Sequence, residues 1–166
     1  MIIRSERPCD AEAIGAVVTA AFAQALHASG TEAAIVDALR AAGALTISLV
    51  AEDEDGAVMG HVAFSPVTID GRQIGWFGLG PVAVRPDRQR GGVGQALIRA
   101  GLDRLKAQGA QGCVVLGEPA YYGRFGFRSD PGLRYRDAPV AYFQRLDFGS
   151  GRPTGMAGYP QAFEEG

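Results

Sequence analysis

The stretch of this chain richest in chemical possibility is Gln89-Arg90-Gly91-Gly92-Val93-Gly94. An apolar run, Phe77–Val84, leads into it through Arg85-Pro86-Asp87, and Val93, Leu97, Ile98, Leu102 and Leu105 follow at spacings near 3.6. The pattern is strand, glycine-rich turn, amphipathic helix. Glycines let the backbone turn tightly and approach a ligand with no Cβ in the way. The first amides of a helix lack internal acceptors and are free to face an anion. Arg88 and Arg90 add positive charge nearby, so a pyrophosphate suits the turn. A loop that needs glycines only to start a helix would look the same.

A second chemical cluster follows the apolar run Gly112–Leu116: Glu118, then Pro119-Ala120-Tyr121-Tyr122-Gly123-Arg124-Phe125-Gly126-Phe127. Glu118 falls just past the end of a strand, where open sheets favour ligand sites. It is a candidate base or ammonium contact, with a solvated loop carboxylate or a helix N-terminal charge as the alternatives. Tyr121 and Tyr122 each offer a phenol, although some rings of this run must simply pack. His61 reads as a core histidine, with the acceptor pocket as its alternative; His27, in a loop, reads as solvated. Trp76 and Phe77 line either core or pocket. Arg124 and Arg128 either pair with acids or reach phosphates. There is no Ser–His–Asp or Cys–His arrangement and no His, Cys and carboxylate spacing suited to a metal. The glycine turn lacks a following Lys-Ser/Thr pair and does not fit GxGxxG, so the common nucleotide fingerprints are excluded.

The elements that must position these residues can be read in order. Ile2–Glu6 is a short strand. Asp10 can cap a helix over Ala11–Phe22. A second helix covers Glu32–Ala42, its buried face set by Ile35 and Leu39, and Gly43 ends it. Strands follow at Leu45–Glu52, Val58–Ile69 and Ile74–Val84, separated by turns at Asp53–Gly56 and Asp70-Gly71. Pro81 cannot donate to a ladder, so the fourth strand is expected to bulge there and free backbone groups for a ligand. A helix over Gly92–Gln108 precedes Gly112–Leu116, which reads as a buried parallel strand. Ala120–Phe125 is a short helix or turn. Strands at Phe127–Ser129 and Val140–Leu146 flank a polar loop at Asp130–Pro139. In the glycine-rich tail, Met156, Tyr159 and Phe163 are the residues available to pin it to the surface. The order is β-α-α-β-β-β-α-β-α-β-β, a mixed sheet covered by helices in the α/β or α+β class.

Composition narrows the function classes. The chain has 166 residues, 47% hydrophobic and 20% charged, which fits one globular domain with a sizeable core. A net charge of −2 gives no basic excess for nucleic acid. The cationic residues cluster at Arg85, Arg88, Arg90 and Arg99, which suits a small anion better than a polymer. Cys9 and Cys113 are too distant for a metal motif or a disulfide framework, and Cys113 reads as a core thiol. The N-terminus shows no signal-peptide core and no apolar run reaches membrane-spanning length, so a soluble cytoplasmic protein is expected.

Gln89, Gly92 and Gly94 match, residue by residue, the Gln/Arg-x-x-Gly-x-Gly/Ala acyl-CoA loop of the GNAT superfamily of N-acyltransferases, which this chain resembles over about residues 1–148. Tyr122 stands four residues before Gly126, as in the Tyr-x-x-x-Gly-Phe segment that follows the fifth strand of these enzymes. The tail, Gly158-Tyr159-Pro160-Gln161-Ala162-Phe163, resembles a bacterial subgroup of predicted N-acetyltransferases. The resemblance implies a mixed, mostly antiparallel sheet of about six to seven strands flanked by helices, with residues 149–166 as a tail packed on the same domain. It implies acetyl-CoA as donor, no metal, and a primary amine as acceptor, on a small molecule or a protein. Acyl-CoA would lie between the fourth and fifth strands, against the main chain of Val82, Ala83 and Val84 and the turn of Gln89, Arg90, Gly91, Gly92, Val93 and Gly94, with Gln89 shaping the loop. Tyr122 would be the general acid to the CoA thiolate, Glu118 the base, and Tyr121 core or acceptor-pocket lining. Relatives are commonly dimers. A non-catalytic acyl-CoA sensor of the same fold is the alternative function.

Overall fold

Alternating apolar residues over the middle of the chain pair into a single sheet. In the computed structural model, which describes residues 1–23 and 30–164, the strands are β1 (Ile2–Ser5), β2 (Ile47–Glu52), β3 (Val58–Ile69), β4 (Arg72–Val84), β5 (Gly112–Leu116), β6 (Arg128–Ser129), β7 (Leu133–Arg134), β8 (Phe143–Asp147) and β9 (Gly155–Gly158). The helices are α1 (Ala11–Phe22), α2 (Glu32–Ala41), α3 (Val93–Ala107), α4 (Pro119–Tyr122) and α5 (Gln161–Glu164). Sheet order is β1-β2-β3-β4-β5-β8-β6, with β9 beside the end of β3 and β7 beside β9. Pairing is antiparallel except for β4–β5 and β7–β9.

The sheet therefore has nine strands among the described residues, more than the six or seven expected. The additions are β7, inside the polar loop, and β9, inside the tail. Both are too short to show an alternating pattern.

Helix α3 covers one face of the sheet. Its Leu97, Ile98, Leu102 and Leu105 pack on Leu49, Val62, Phe64, Leu79, Cys113 and Val115. Helices α1 and α2 cover the other face, with Ile14, Val17, Val18 and Val36 against Val50 and Ala83. Burying each such aliphatic side chain contributes roughly 1.5–3 kcal/mol. The buried positions of α2 are Val36 and Leu39, whereas Ile35 is half-buried and lines a cavity. Asp10 precedes α1 as expected but gives it no side-chain cap. Its carboxylate instead accepts the Arg7 N–H at 2.6 Å and pairs with Arg4 at 2.8 Å. His27 lies outside the described residues.

The tail is held by β9, through the register Thr68↔Gly158 and Ile69↔Ala157. Tyr159 then packs its ring 4.8 Å from that of Tyr135 and 5.2 Å from that of Phe163. Met156 does not pin the tail by burial, since 44% of it is exposed.

Candidate active site

Parallel pairing between β4 and β5 runs only over Trp76↔Gly112, Phe77↔Cys113 and Gly78↔Val114. Beyond Gly78 the strands diverge. β4 continues to Val84 along β3 alone, and β5 continues to Leu116 along β8 alone. The divergence coincides with an irregularity at Gly80-Pro81. Val62 pairs with Val82 and Phe64 with Leu79, so β4 spends one more residue than β3 over the same span. This is a bulge at the residue whose missing N–H leads one to expect it. The Arg85 N–H donates to the Met59 carbonyl at 2.8 Å. By strand alternation, the main-chain groups of Val82 and Val84 then face away from β3, toward the opening. The side chain of Ala83 is buried in the core beneath.

The glycine turn sits at the end of this opening. Arg90 and Gly92 have φ of 67° and 86°, in the left-handed region where glycine is at ease and arginine is strained. The first backbone bond of α3 runs from the Ala96 N–H to the Gly92 carbonyl at 3.0 Å, so the amides before it have no helical acceptor. Gln89 Nε2 donates to the Val84 carbonyl at 3.0 Å, folding the loop back on the strand.

The local positive charge differs from the sequence reading. Arg88 is bound to Glu54, and Arg85 bridges Asp53 and Asp87, so neither guanidinium is free for an anion. Arg90 is exposed and makes no ion pair among the described residues. Arg124 lies over the Tyr121 ring at 4.5 Å and Arg99 over Phe125 at 4.9 Å. These two cations flank the rings of the α3–α4 side.

The two tyrosines are held differently. A Cβ on Gly94 would lie 3.5 Å from the Tyr121 hydroxyl, so Tyr121 stands at the start of α3. It is not among the described residues that line the cavity on the opposite face. The Tyr122 ring lies against the end of β5, where a Cβ on Gly117 would come within 2.4 Å of it. It meets Tyr121 and Phe127 edge-on, at 5.0 and 6.0 Å between ring centroids. Burial pushes the Tyr122 phenol up to about 12, so it is protonated throughout the neutral range. Its hydroxyl has no hydrogen-bond partner among the described residues.

Other candidates fall elsewhere. Glu118 is the N-cap of α4, exposed, with no side-chain cap bond; its carbonyl accepts the Tyr121 and Tyr122 amides at 3.1 and 3.0 Å. His61 is fully buried on the α1–α2 face, with Nε2 2.8 Å from Ser48 Oγ. Ser48 donates its proton to Glu6, which in turn binds Arg40. The histidine therefore donates from Nε2, and Nδ1 is buried without a partner among the described residues. Burial lowers its pKa to about 4. Trp76 is core, under Arg145. Cys113 is fully buried, which pushes its thiol up, whereas Cys9 is exposed. No cluster of metal-ligating side chains occurs among the described residues. No helix there is long and apolar enough to cross a membrane.

A cavity of about 330 Å3 lies on the α1–α2 side of the bulge, reaching Leu79, Gly80, Pro81 and Leu116. Its aromatic walls Tyr135, Tyr159 and Phe163 were missed as site residues. For Tyr159 and Phe163 the sequence signal is large rings in a glycine-rich segment, whereas Tyr135, in the polar loop, carries none.

Comparison with known proteins agrees with this architecture. The model of the acetyltransferase (GNAT) domain matches residues 3–129. The N-acetyltransferase YhbS of Escherichia coli is 43% identical over 127 residues, 76% of this chain and 73% of that protein. The crystal structure of YhbS in complex with CoA superposes with a TM-score of 0.91, covering 98% of this chain and 91% of that one at 37% identity. A GNAT family acetyltransferase of Brucella melitensis, in complex with acetyl-CoA, is 52% identical with a TM-score of 0.88, covering 98% of this chain and 97% of that one. With a splayed β4–β5 pair, a glycine turn opening α3, and sequence similarity across both, this chain belongs to the GNAT acetyltransferase family.

Proposed function

We propose that the protein transfers an acetyl group from acetyl-CoA to a primary amine by direct attack in a ternary complex, with Tyr122 as general acid to the CoA thiolate. The observation that carries this reading is that β4 opens away from β5 beside the amides of α3 that lack helical acceptors, with the Tyr122 ring packed at the end of β5. The Brucella and Escherichia coli relatives, crystallised with acetyl-CoA and CoA, support the choice of donor.

Each part of the chain has a task. The main chain of Val82 and Val84 offers groups for the pantetheine arm, and the amides of Arg90–Gly94 offer donors for the pyrophosphate. Arg90 adds the accessible charge. Amides freed at the bulge are placed to stabilise negative charge developing on the thioester oxygen. Tyr122 donates its proton to the departing sulfur. A phenol held near 12 keeps its proton until the thiolate appears. Glu118, exposed at the end of β5, is the base candidate, reached directly or through water. Such an enzyme would act in the bacterial cytoplasm, where acetyl-CoA is abundant.

The test is release of free CoA thiol from acetyl-CoA on addition of amines, with Cys9 blocked or replaced by Ser to silence the exposed protein thiol. Amine-dependent release supports the reading. Calorimetric binding of acetyl-CoA with no transfer across a broad amine panel would instead identify an acyl-CoA sensor. Absence of acetyl-CoA binding would remove both.

A further inference from the structure

The 330 Å3 cavity reaches the Gly80-Pro81 bulge from the α1–α2 face, beside the β4–β5 divergence proposed to hold the donor. Phe22 comes from α1, Pro81 and Leu116 from the two diverging strand ends, and Tyr135, Tyr159 and Phe163 from the last part of the chain. The matched family segment ends at residue 129. The donor half of the cleft thus lies inside that segment, and three aromatic walls of the cavity lie beyond it.

The lining has a definite chemistry. No Arg or Lys borders the cavity among the described residues, and the charged side chain that does is Glu32. A carboxylate or phosphate on the ligand would meet no cation in that lining, although the Arg136 guanidinium lies over the Tyr135 ring at 5.4 Å. Aromatic faces attract ammonium groups and exclude water from an apolar body. A polycation would have to strand further charges against these rings.

Tyr159 is one of the aromatic walls. Its ring lies against the β4 backbone, where a Cβ on Gly78 would come within 2.7 Å of it. Its hydroxyl is buried without a hydrogen-bond partner among the described residues. Tyr122 packs with the cluster beneath α3, and Tyr159 packs with the cluster beneath the tail. Two phenols therefore approach the strand divergence, one from each side of the sheet. Burial holds the Tyr159 phenol well above its ordinary range, so it keeps its proton. The oxygen is itself fully buried, so the cavity presents the Tyr159 ring to a ligand and not its hydroxyl.

We infer that this cavity takes an acceptor carrying a single primary amine on an apolar body of aromatic size, and that the Tyr159 ring is a wall against which that body is positioned for attack. This inference rests on the acetyl-transfer reading. Tyr159 is a positioning residue here; the bond changes remain those of the amine and the thioester.

The experiment measures kcat and KM for phenethylamine and tryptamine against spermidine, kanamycin and lysine at saturating acetyl-CoA. The arylalkylamines are expected to exceed the others in kcat/KM by about 100-fold. Tyr159→Leu keeps an apolar side chain and removes the ring face, and should raise the KM of the arylalkylamine about tenfold while leaving the KM of acetyl-CoA unchanged. Leu116→Lys, at a position 48% exposed and therefore tolerant of charge, should raise the same amine KM without loss of fold. Preference for spermidine, kanamycin or lysine would overturn this inference and leave the transferase reading intact. So would Tyr159→Leu and Leu116→Lys variants that both leave amine KM unchanged. Acetyl-CoA binding with no transfer to any amine would overturn both.

Discussion

Gln89 Nε2 reaches back to the carbonyl of Val84 and closes the glycine turn against the end of β4. This bond joins the main-chain segment proposed to hold the pantetheine arm to the amides proposed to hold the pyrophosphate. Being partly solvent-exposed, it contributes on the order of 1 kcal/mol to the loop's shape. Gln89→Ala should therefore raise the Kd for CoA about fivefold by calorimetry, with the melting temperature nearly unchanged. An unchanged Kd would show that the loop holds its form without the clamp.

Replacing Tyr122 by Phe retains the ring that packs on Gly117, Tyr121 and Phe127 and removes only the oxygen. As a general acid, Tyr122 should contribute about 100-fold to kcat, with acetyl-CoA KM unaltered. Because its phenol is held near 12, the wild-type rate should show no decline from Tyr122 ionisation below about pH 10. A Tyr122→Phe enzyme with full kcat would assign the proton to another donor.

His61 sets a pH dependence of stability. Its pKa is about 4 in the fold against 6.5 for the free side chain, because burial disfavours the imidazolium. The unfolded chain binds the proton first as pH falls. The folded state is thus fully stabilised above about pH 6.5, and loses stability as pH drops from there to about 4, by on the order of 3 kcal/mol in total. Urea denaturation at pH 7.5, 6 and 5 should show the decline, and His61→Gln should flatten it. Asp10, held near 2 by Arg4, acts at lower pH, so the two effects separate.

Arg145 is 2% exposed and carries a bidentate pair with Asp147 at 2.8 and 2.9 Å, a bond to Asp130 at 3.0 Å and the Trp76 ring at 5.3 Å. Arg145→Met would leave the two carboxylates without their cation and should cost about 3 kcal/mol in denaturant unfolding. Arg145→Lys keeps the charge but loses the planar fork, and should fall between.

Much of the fold could be read from local pattern. α1 and β3 occupy Ala11–Phe22 and Val58–Ile69 as expected, since helical spacing and strand alternation run unbroken between clear turn signals. Pro81 disclosed the bulge because one missing donor has one local consequence. What escaped depended on contacts between distant segments. Arg88 reads as a free cation until the 53–56 turn brings Glu54 beside it. Nothing in the spacing around Arg145 signals that it is buried between Asp130 and Asp147. Tyr121 and Tyr122 are adjacent in sequence, and only the packing against Gly94 and Gly117 tells their environments apart. The cavity was least legible, because its rings come from residues 22, 135, 159 and 163 and share no spacing.

The pairing of Ile69 with Ala157 and Thr68 with Gly158 has an evolutionary corollary. Side chains alternate along a strand, so removing or inserting one residue just upstream of Gly155 would slip this register and turn Tyr159 away from Gly78. Selectivity for the acceptor could then change through the length of the terminal segment alone, with every residue of the donor half left as it is.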